Sequence, residues 1–357
     1  MTAPAAPATL RLLSFGAGAI GAYIGGSLAL AGHPLVFLER AKVASQLHQS
    51  GLRLEIAGQV HHLPAPNLVS SIEEALSRGP FDLAIFALKS FDTQPVLDSL
   101  KPFRQALPPI LCLQNGVDNE PALRAVLGDD QVIAATVTSA IGRRGAGDIL
   151  LERLRGVGVA VGHPLAPSLV AAMNKAGLNA RLYPRPTDMK WSKMLTNLLA
   201  NATSAILNLS PAEIFAHPGL YRLEVAQLRE ALAVMRAQKI GVVDLPATPV
   251  RLLAFGVRRL PPWLSRPLVG RAAGSGRGGK MPSFHIDLYS GRGKSEVDYL
   301  NGAVARHAER LGLPAPANRL LNDVLLQLTR GEIPLQDFAQ QPEKLLERFA
   351  ALQAQAS

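Results

Sequence analysis

The stretch "LRLLSFGAGAIGAYIGGSLALAGHPLVFLER", residues 10–40, constrains the fold more than any other part of the chain. Residues 10–14 read as a buried strand, 19–31 as a helix and 35–38 as a second strand. Gly16, Gly18 and Gly21 form G-x-G-x-x-G directly after the first strand and at the opening of the helix, the context that gives this motif its meaning. The first glycine would permit the tight turn, the second would let the backbone approach a diphosphate, and the third would let helix and strand pack closely. The diphosphate would sit on the helix N-terminus, where N–H groups and the helix dipole favour an anion. Gly16, Ala17, Gly18, Ala19, Ile20 and Gly21 are therefore candidate dinucleotide-binding residues. A purely structural glycine turn and a methyltransferase loop are the competing readings. Residues 19–38 include no Asp, Glu, Lys or Arg, a length that suggests a membrane span. Gly32, His33 and Pro34 punctuate that run, so helix, turn and strand explain it better and no membrane association is expected.

Glu39 and Arg40 close the second strand, about 20 residues past the glycines, where dinucleotide selectivity is set. An acidic side chain there hydrogen-bonds the ribose hydroxyls of NAD, and an arginine accepts the 2′-phosphate of NADP. This chain has both, and the residues alone do not rank them.

Further strand-like runs at 82–88 and 110–113 alternate with helical patterns at 41–49, 72–78 and 120–127. "LRLEIAGQVHHL" reads as a β excursion, and "VIAATVTSAIG" and "GVGVAVG" as additional strands. Such alternation predicts an α/β Rossmann-type domain with a parallel sheet covered on both faces. After Pro184 and Pro186 the periodicity is helical at 188–209, 221–239, 296–311, 317–330 and 342–352. We therefore expect residues 1–185 to form the dinucleotide-binding domain and 186–357 an all-helical C-terminal domain. Residues 241–280, rich in Pro, Gly and Arg, are expected to be partly irregular.

A chain of 357 residues with 48% apolar content can bury two cores. The net charge of +10 is scattered and aromatics are only 5%, which argues against a nucleic-acid surface and fits attraction for an anionic ligand. The single cysteine, Cys112, lies in an apolar run, so no disulfide framework exists; no metal cluster is visible either. A reducing, cytoplasmic setting is expected, since no secretory signal is read at the N-terminus. The stretch "RLEVAQLREALAVM" has apolar helical spacing that suits a core and leaves a homodimer seam possible.

Candidate chemistry lies elsewhere in the chain. In "WSKMLTNLLANATSAILN", Lys193, Asn197, Asn201, Ser204 and Asn208 recur at helical spacing, a polar line on a helix apolar on its other faces. Lys190 sits one position off that line and reads as solvated. Lys89 and Asn115-Gly116 end two predicted strands, the edge at which open α/β sheets bind ligands. Ser295 reads as an N-cap with Asp298 three residues on, placing Glu296 in the first helical turn.

Taken together, "GAGAIG", "LKSFD", "QNGVDN", "KWSKMLTNLLANATSAI", "PSFHIDLYSGRGKSEVDYLNG" and "GLPAPAN" resemble the ketopantoate reductase (2-dehydropantoate 2-reductase) family over most of the chain. The resemblance implies NADPH-dependent reduction of 2-dehydropantoate to pantoate, with the site between the domains. It implies Lys193 as general acid, and Glu296 as the acidic residue that orders the lysine and holds substrate. Asn115, Asn197 and Asn201 would lie near nicotinamide and substrate, and Ser283 would bind the substrate carboxylate. Arg40 falls where the family places its 2′-phosphate arginine, and Lys89, Asn115 and Glu296 join the cofactor-facing set; the adjacent Glu39 leaves NADH possible. Lys280, Pro282 and an extra residue between Asp287 and Glu296 depart from the family pattern around the carboxylate site. Enzymes of the family also reduce other branched 2-oxo acids, so such a substrate remains an alternative. A non-catalytic dinucleotide-sensing protein is a second alternative, one that would need neither Lys193 nor Glu296.

Overall fold

The computed structural model describes residues 9–261, 264–266 and 281–356. Two compact units emerge. One comprises the chain up to Lys190 with Leu245–Thr248; the other comprises Trp191–Asp244 and the chain from Pro249.

Among its described residues the first unit has twelve strands: β1 (Leu12–Phe15), β2 (Leu35–Leu38), β3 (Leu52–Ile56), β4 (Gln59–Leu63), β5 (Asn67–Val69), β6 (Leu83–Phe86), β7 (Ile110–Cys112), β8 (Val132–Val137), β9 (Ala140–Gly145), β10 (Asp148–Arg153), β11 (Val157–Ala160) and β12 (Ala180–Tyr183). Eight of them form one sheet in the order β12-β11-β8-β7-β6-β1-β2-β5. β1 pairs in parallel with β2 on one side (Leu12 opposite Leu35) and with β6 on the other (Leu12 opposite Leu83). Strands buried on both faces read as continuous apolar runs, and "LLSF" and "LAIF" are buried throughout. Successive residues of β1 serve opposite faces: Leu12 packs with Ile24, Leu28 and Ile85, and Leu13 with Phe86, Leu97 and Leu123.

The expected parallel sheet has one exception, since β11 pairs antiparallel with β8. A parallel return needs a long crossover, usually helical. The chain between β8 and β11 is instead the hairpin β9–β10, which joins β3 and β4 in a second, four-stranded sheet. The "LRLEIAGQVHHL" excursion forms the antiparallel pair β3–β4.

The second unit is helical in its described residues. Its long helix Pro218–Ala237 buries Leu223, Val225, Leu228, Leu232 and Met235. A polar thread runs beside that core. Asn301 Nδ2 donates to Gln227 Oε1 at 2.9 Å and to Asn318 Oδ1 at 3.1 Å, and Asn318 Nδ2 donates to the Gln227 carbonyl at 2.9 Å. These bonds tie three helices in one register, because any slip would leave buried amides unpaired.

Two expectations need correction. The helix anticipated over 188–209 is two helices, Pro186–Leu198 and Asn201–Leu207, separated at Ala200, which is left-handed at φ 49°. The polar line therefore crosses a break. The C-terminal helix carrying Glu296 starts one residue later than its cap pattern suggests. It spans Val297–Arg310 with Glu296 itself at the N-cap position, while Ser295 Oγ accepts from Val297 N at 3.2 Å. The expectation of a partly irregular segment within 241–280 agrees with the described residues: 241–249 hold only the isolated bridge Leu245–Thr248 and are followed by the helix Val250–Arg259, while Lys280 and residues 262–263 and 267–279 lie outside the described residues.

Candidate active site

In the α/β unit the glycine turn is fixed by its own geometry. Gly16 has φ +87°, a conformation that favours glycine, and its N–H donates to the Leu38 carbonyl at 2.9 Å. A Cβ on Gly21 would stand 2.4 Å from the Gly16 carbonyl oxygen, so only glycine fits. A Cβ on Gly18 would meet nothing within 4 Å. Gly18 is the N-cap of the helix Ala19–Leu30, which has no side-chain cap and no acidic residue in its first turn. An open concavity lined by helix-terminal N–H groups suits a diphosphate. The residues present thus fit a dinucleotide.

Glu39 reaches this turn. Its Oε2 accepts from Ala17 N at 2.8 Å and its Oε1 accepts from Arg40 N at 2.9 Å. The Arg40 side chain is 89% exposed against 11% for Glu39, with Nε 3.8 Å from the Glu39 carboxylate.

The strand ends carrying Lys89 and Asn115 are held together. Lys89, half-buried, caps the short 3-10 turn Ser90–Asp92 after β6. Asn115 follows β7 with its side chain on an exposed residue, and Gly116 beside it has φ +89°. The Asn115 carbonyl accepts from Asn119 Nδ2 at 2.7 Å and from Ser90 Oγ at 3.2 Å. Gln114 Nε2 donates to the Leu88 carbonyl at 3.1 Å and to Thr93 Oγ1 at 2.8 Å.

Lys190 overturns its solvated reading. It is 5% exposed, lies 2.7 Å from Glu120 Oε1 at an angle outside hydrogen-bond geometry, and donates to the Gln114 carbonyl at 2.5 Å. Its ammonium therefore anchors the peptide that precedes Asn115. Met189 and Trp191 beside it are buried as well, but adjacent residues of a helix do not share a face, so the local sequence held no signal for this burial. Cys112 is fully buried in β7, and burial raises its thiol well above the ordinary value.

In the helical unit Lys193 and Asn197 stand one turn apart on Pro186–Leu198, both half-buried. Asn201 opens the next helix, and its Nδ2 donates across the break to the Asn197 carbonyl at 3.0 Å. Its Oδ1 accepts from Phe284 N at 3.1 Å and lies 3.4 Å from Ser283 Oγ. Ser283 and Phe284 begin the helix Ser283–Tyr289, so two segments 82 residues apart meet at one amide. Glu296 is 5% exposed. Ser204 and Asn208, the last two residues of the polar line, lie in different surroundings. The Ser204 hydroxyl is buried without a hydrogen-bond partner among the described residues, and Asn208 is an exposed left-handed residue whose Oδ1 lies 2.7 Å from His285 Nε2.

Glu224 makes the break possible, and sequence reading missed it. Its carboxylate is 1% exposed and accepts from Ala200 N at 2.7 Å, Thr203 Oγ1 at 2.7 Å and Gln227 Nε2 at 2.8 Å. An interrupted helix leaves N–H groups without intrahelical acceptors, and a buried carboxylate at the new N-terminus satisfies them. In "RLEVAQLREAL" nothing marks Glu224 as different from an ordinary surface glutamate.

The family profile described as Ketopantoate reductase PanE/ApbA matches residues 12–162, and its C-terminal counterpart matches 187–329. The chain belongs to the ketopantoate reductase family. The relatives span nearly their full lengths in the match. A 2-dehydropantoate 2-reductase from Pyrococcus horikoshii is 25% identical over 317 residues, covering 87% of this chain and 95% of the relative. A crystal structure of a PanE/ApbA family ketopantoate reductase from Ralstonia eutropha superposes with a TM-score of 0.76 at 28% identity, over 90% of this chain and 99% of that one. The ternary structure of D-mandelate dehydrogenase with NADH and anilino(oxo)acetate matches at TM-score 0.73 and 20% identity, over 90% and 99%. That likeness establishes a shared fold. Family membership makes the chain an oxidoreductase that uses a nicotinamide dinucleotide.

Proposed function

We propose that the protein reduces 2-dehydropantoate to (R)-pantoate. The observation that carries this reading is the convergence at Asn201, which hydrogen-bonds the Asn197 carbonyl one turn from Lys193 and also the start of the helix bearing Ser283. Residues that a family resemblance suggested one at a time are thereby physically linked within one unit.

When bound, a nicotinamide dinucleotide would supply the hydride that the C2 carbonyl of the substrate receives. Negative charge then develops on the former carbonyl oxygen, which must gain a proton. Lys193 supplies that proton, and its positive charge stabilises the oxyanion as it forms. Asn197 orients the substrate hydroxyl or the lysine, and Asn201 holds Asn197 in register. Ser283 binds the substrate carboxylate, and Glu296 orders the lysine. In the α/β unit, Gly16–Gly21 would cradle the diphosphate, and Lys89 and Asn115, on loops cross-linked through Ser90 and Asn119, would hold the nicotinamide end. The cofactor is a nicotinamide dinucleotide: Arg40 stands where a 2′-phosphate of NADPH would be met, and Glu39 where the free ribose hydroxyls of NADH would be met.

Steady-state kinetics with 2-dehydropantoate and two smaller branched 2-oxo acids test the substrate. The highest kcat/KM should fall to 2-dehydropantoate; a preference for a smaller acid would move the substrate within the same reaction class. Lys193→Ala should lower kcat by at least about 100-fold, the scale of a lost acid catalyst. Near-normal turnover in that variant would remove the mechanism.

A further inference from the structure

We infer that Glu39, rather than Arg40, sets the dinucleotide choice, and that the chain takes NADH in preference to NADPH. The inference rests on the dinucleotide reading above and refines it at one position.

The two side chains differ in how firmly they are placed. Both oxygens of Glu39 are engaged, Oε2 by the Ala17 N–H of the glycine turn at 2.8 Å and Oε1 by the Arg40 N–H at 2.9 Å, and the side chain is 11% exposed. Its position is further fixed by the backbone, since Glu39 N donates to the Val69 carbonyl at 3.0 Å and so extends the β2–β5 pairing. Gly16 adds no bulk: a Cβ there would come 3.8 Å from Glu39 Oε2. The carboxylate therefore stands beside the glycine turn, at the strand end where a dinucleotide presents its adenosine ribose. A cis-diol offers two O–H donors to such a carboxylate, each a charge-assisted hydrogen bond. A 2′-phosphate brings a dianion to a fixed, partly desolvated anion.

Arg40 has no comparable anchor. Its side chain is 89% exposed, and its Nε lies 3.8 Å from Glu39, so part of its charge is directed at that carboxylate. Lys42, in the first turn of the helix Ala41–Ser50, is exposed as well. Solvated cations on flexible stems attract a phosphate weakly, because water screens them and ordering the stem costs entropy. They do not cancel the repulsion of a carboxylate held in place.

The test is isothermal titration of the full-length protein with NADH and with NADPH, without substrate, together with kcat/KM for each. The unmodified protein should bind NADH at least about tenfold more tightly, the worth of one charge-assisted hydrogen bond. Glu39→Gln, which keeps the shape and an acceptor for Ala17 N–H, should narrow or reverse that ratio, mainly through tighter NADPH binding. Arg40→Ala, alone or with Lys42→Ala, should leave the ratio within about twofold, the scale expected of an exposed charge. NADPH preference in the unmodified protein would overturn the inference, as would an unchanged ratio in Glu39→Gln. So would a collapse of NADPH binding in Arg40→Ala with NADH binding intact. Binding of neither dinucleotide overturns this inference and the dinucleotide reading together. NADH preference without reduction of any 2-oxo acid upholds the role of Glu39 and removes only the substrate assignment.

Discussion

At Gly21 a side chain would lie 2.4 Å from a backbone oxygen, whereas at Gly18 it would meet nothing within 4 Å. The two glycines of one motif thus exist for different reasons, packing in one case and ligand approach in the other. Gly21→Ala should destabilise the protein by about 1–3 kcal/mol, as overpacking does, because the carbonyl it strikes cannot rotate away. Gly18→Ala, at a backbone φ of −68° that alanine adopts freely, should leave urea stability within about 1 kcal/mol while weakening dinucleotide binding. Equal effects on binding with equal effects on stability would refute the division. The sequence motif was legible at this scale because each glycine answers to local geometry. Lys190 was misread because its fate depends on Glu120 and the Gln114 carbonyl, 70 and 76 residues away.

The elements were read correctly where one rule governs them and incorrectly where a distant group intervenes. Ala19–Leu30 and Leu35–Leu38 follow from apolar runs bounded by glycine and proline. The helix expected across residues 188–209 fails at Ala200, although nothing in "TNLLANAT" is a helix breaker. The break persists because the Glu224 carboxylate and the Gln227 amide, which donates to the Leu198 carbonyl at 3.3 Å, take over the exposed backbone groups. Glu224→Gln should therefore cost about 1.5–3 kcal/mol, the value of a hydrogen bond to a buried charge, since all three bonds lose their charge and one acceptor oxygen becomes an NH2. Chemical denaturation checks this. Stability equal to that of the unmodified protein would mean that the carboxylate does not hold the break. The consequence for chemistry is positional: by starting a new helix at Asn201, the break frees that side chain to reach both the Asn197 carbonyl and the Ser283 helix.

For the molecule as a whole, stability should depend on pH through Glu230, which caps the helix Pro316–Arg330. Its carboxylate accepts from Ala317 N at 2.8 Å and Asn318 N at 2.9 Å, yet burial pushes its pKa from the ordinary 4.5 up to about 7. The folded state thus holds this proton more tightly than the unfolded chain does. Its contribution is fully present below pH 4.5 and is lost as pH rises towards 7. The thermal midpoint should carry a component that falls over that window, and Glu230→Gln should flatten it; an unchanged pH profile in the variant would exclude Glu230 as the source. No described helix is long and apolar enough to cross a membrane, which agrees with reading residues 19–38 as helix, turn and strand. By itself the sequence determined the α/β start, the helical remainder and the glycine turn, because apolar period and glycine spacing are local properties of a chain. It also supplied every residue proposed for the chemistry, through motifs short enough to be recognised in order. Only the tertiary structure decided that Lys190 is buried, that the polar line is broken at Ala200, that β11 runs antiparallel, and that Glu39 is fixed while Arg40 is solvated. Each of these turns on a hydrogen bond, ion pair or strand pairing that the linear order of residues does not display.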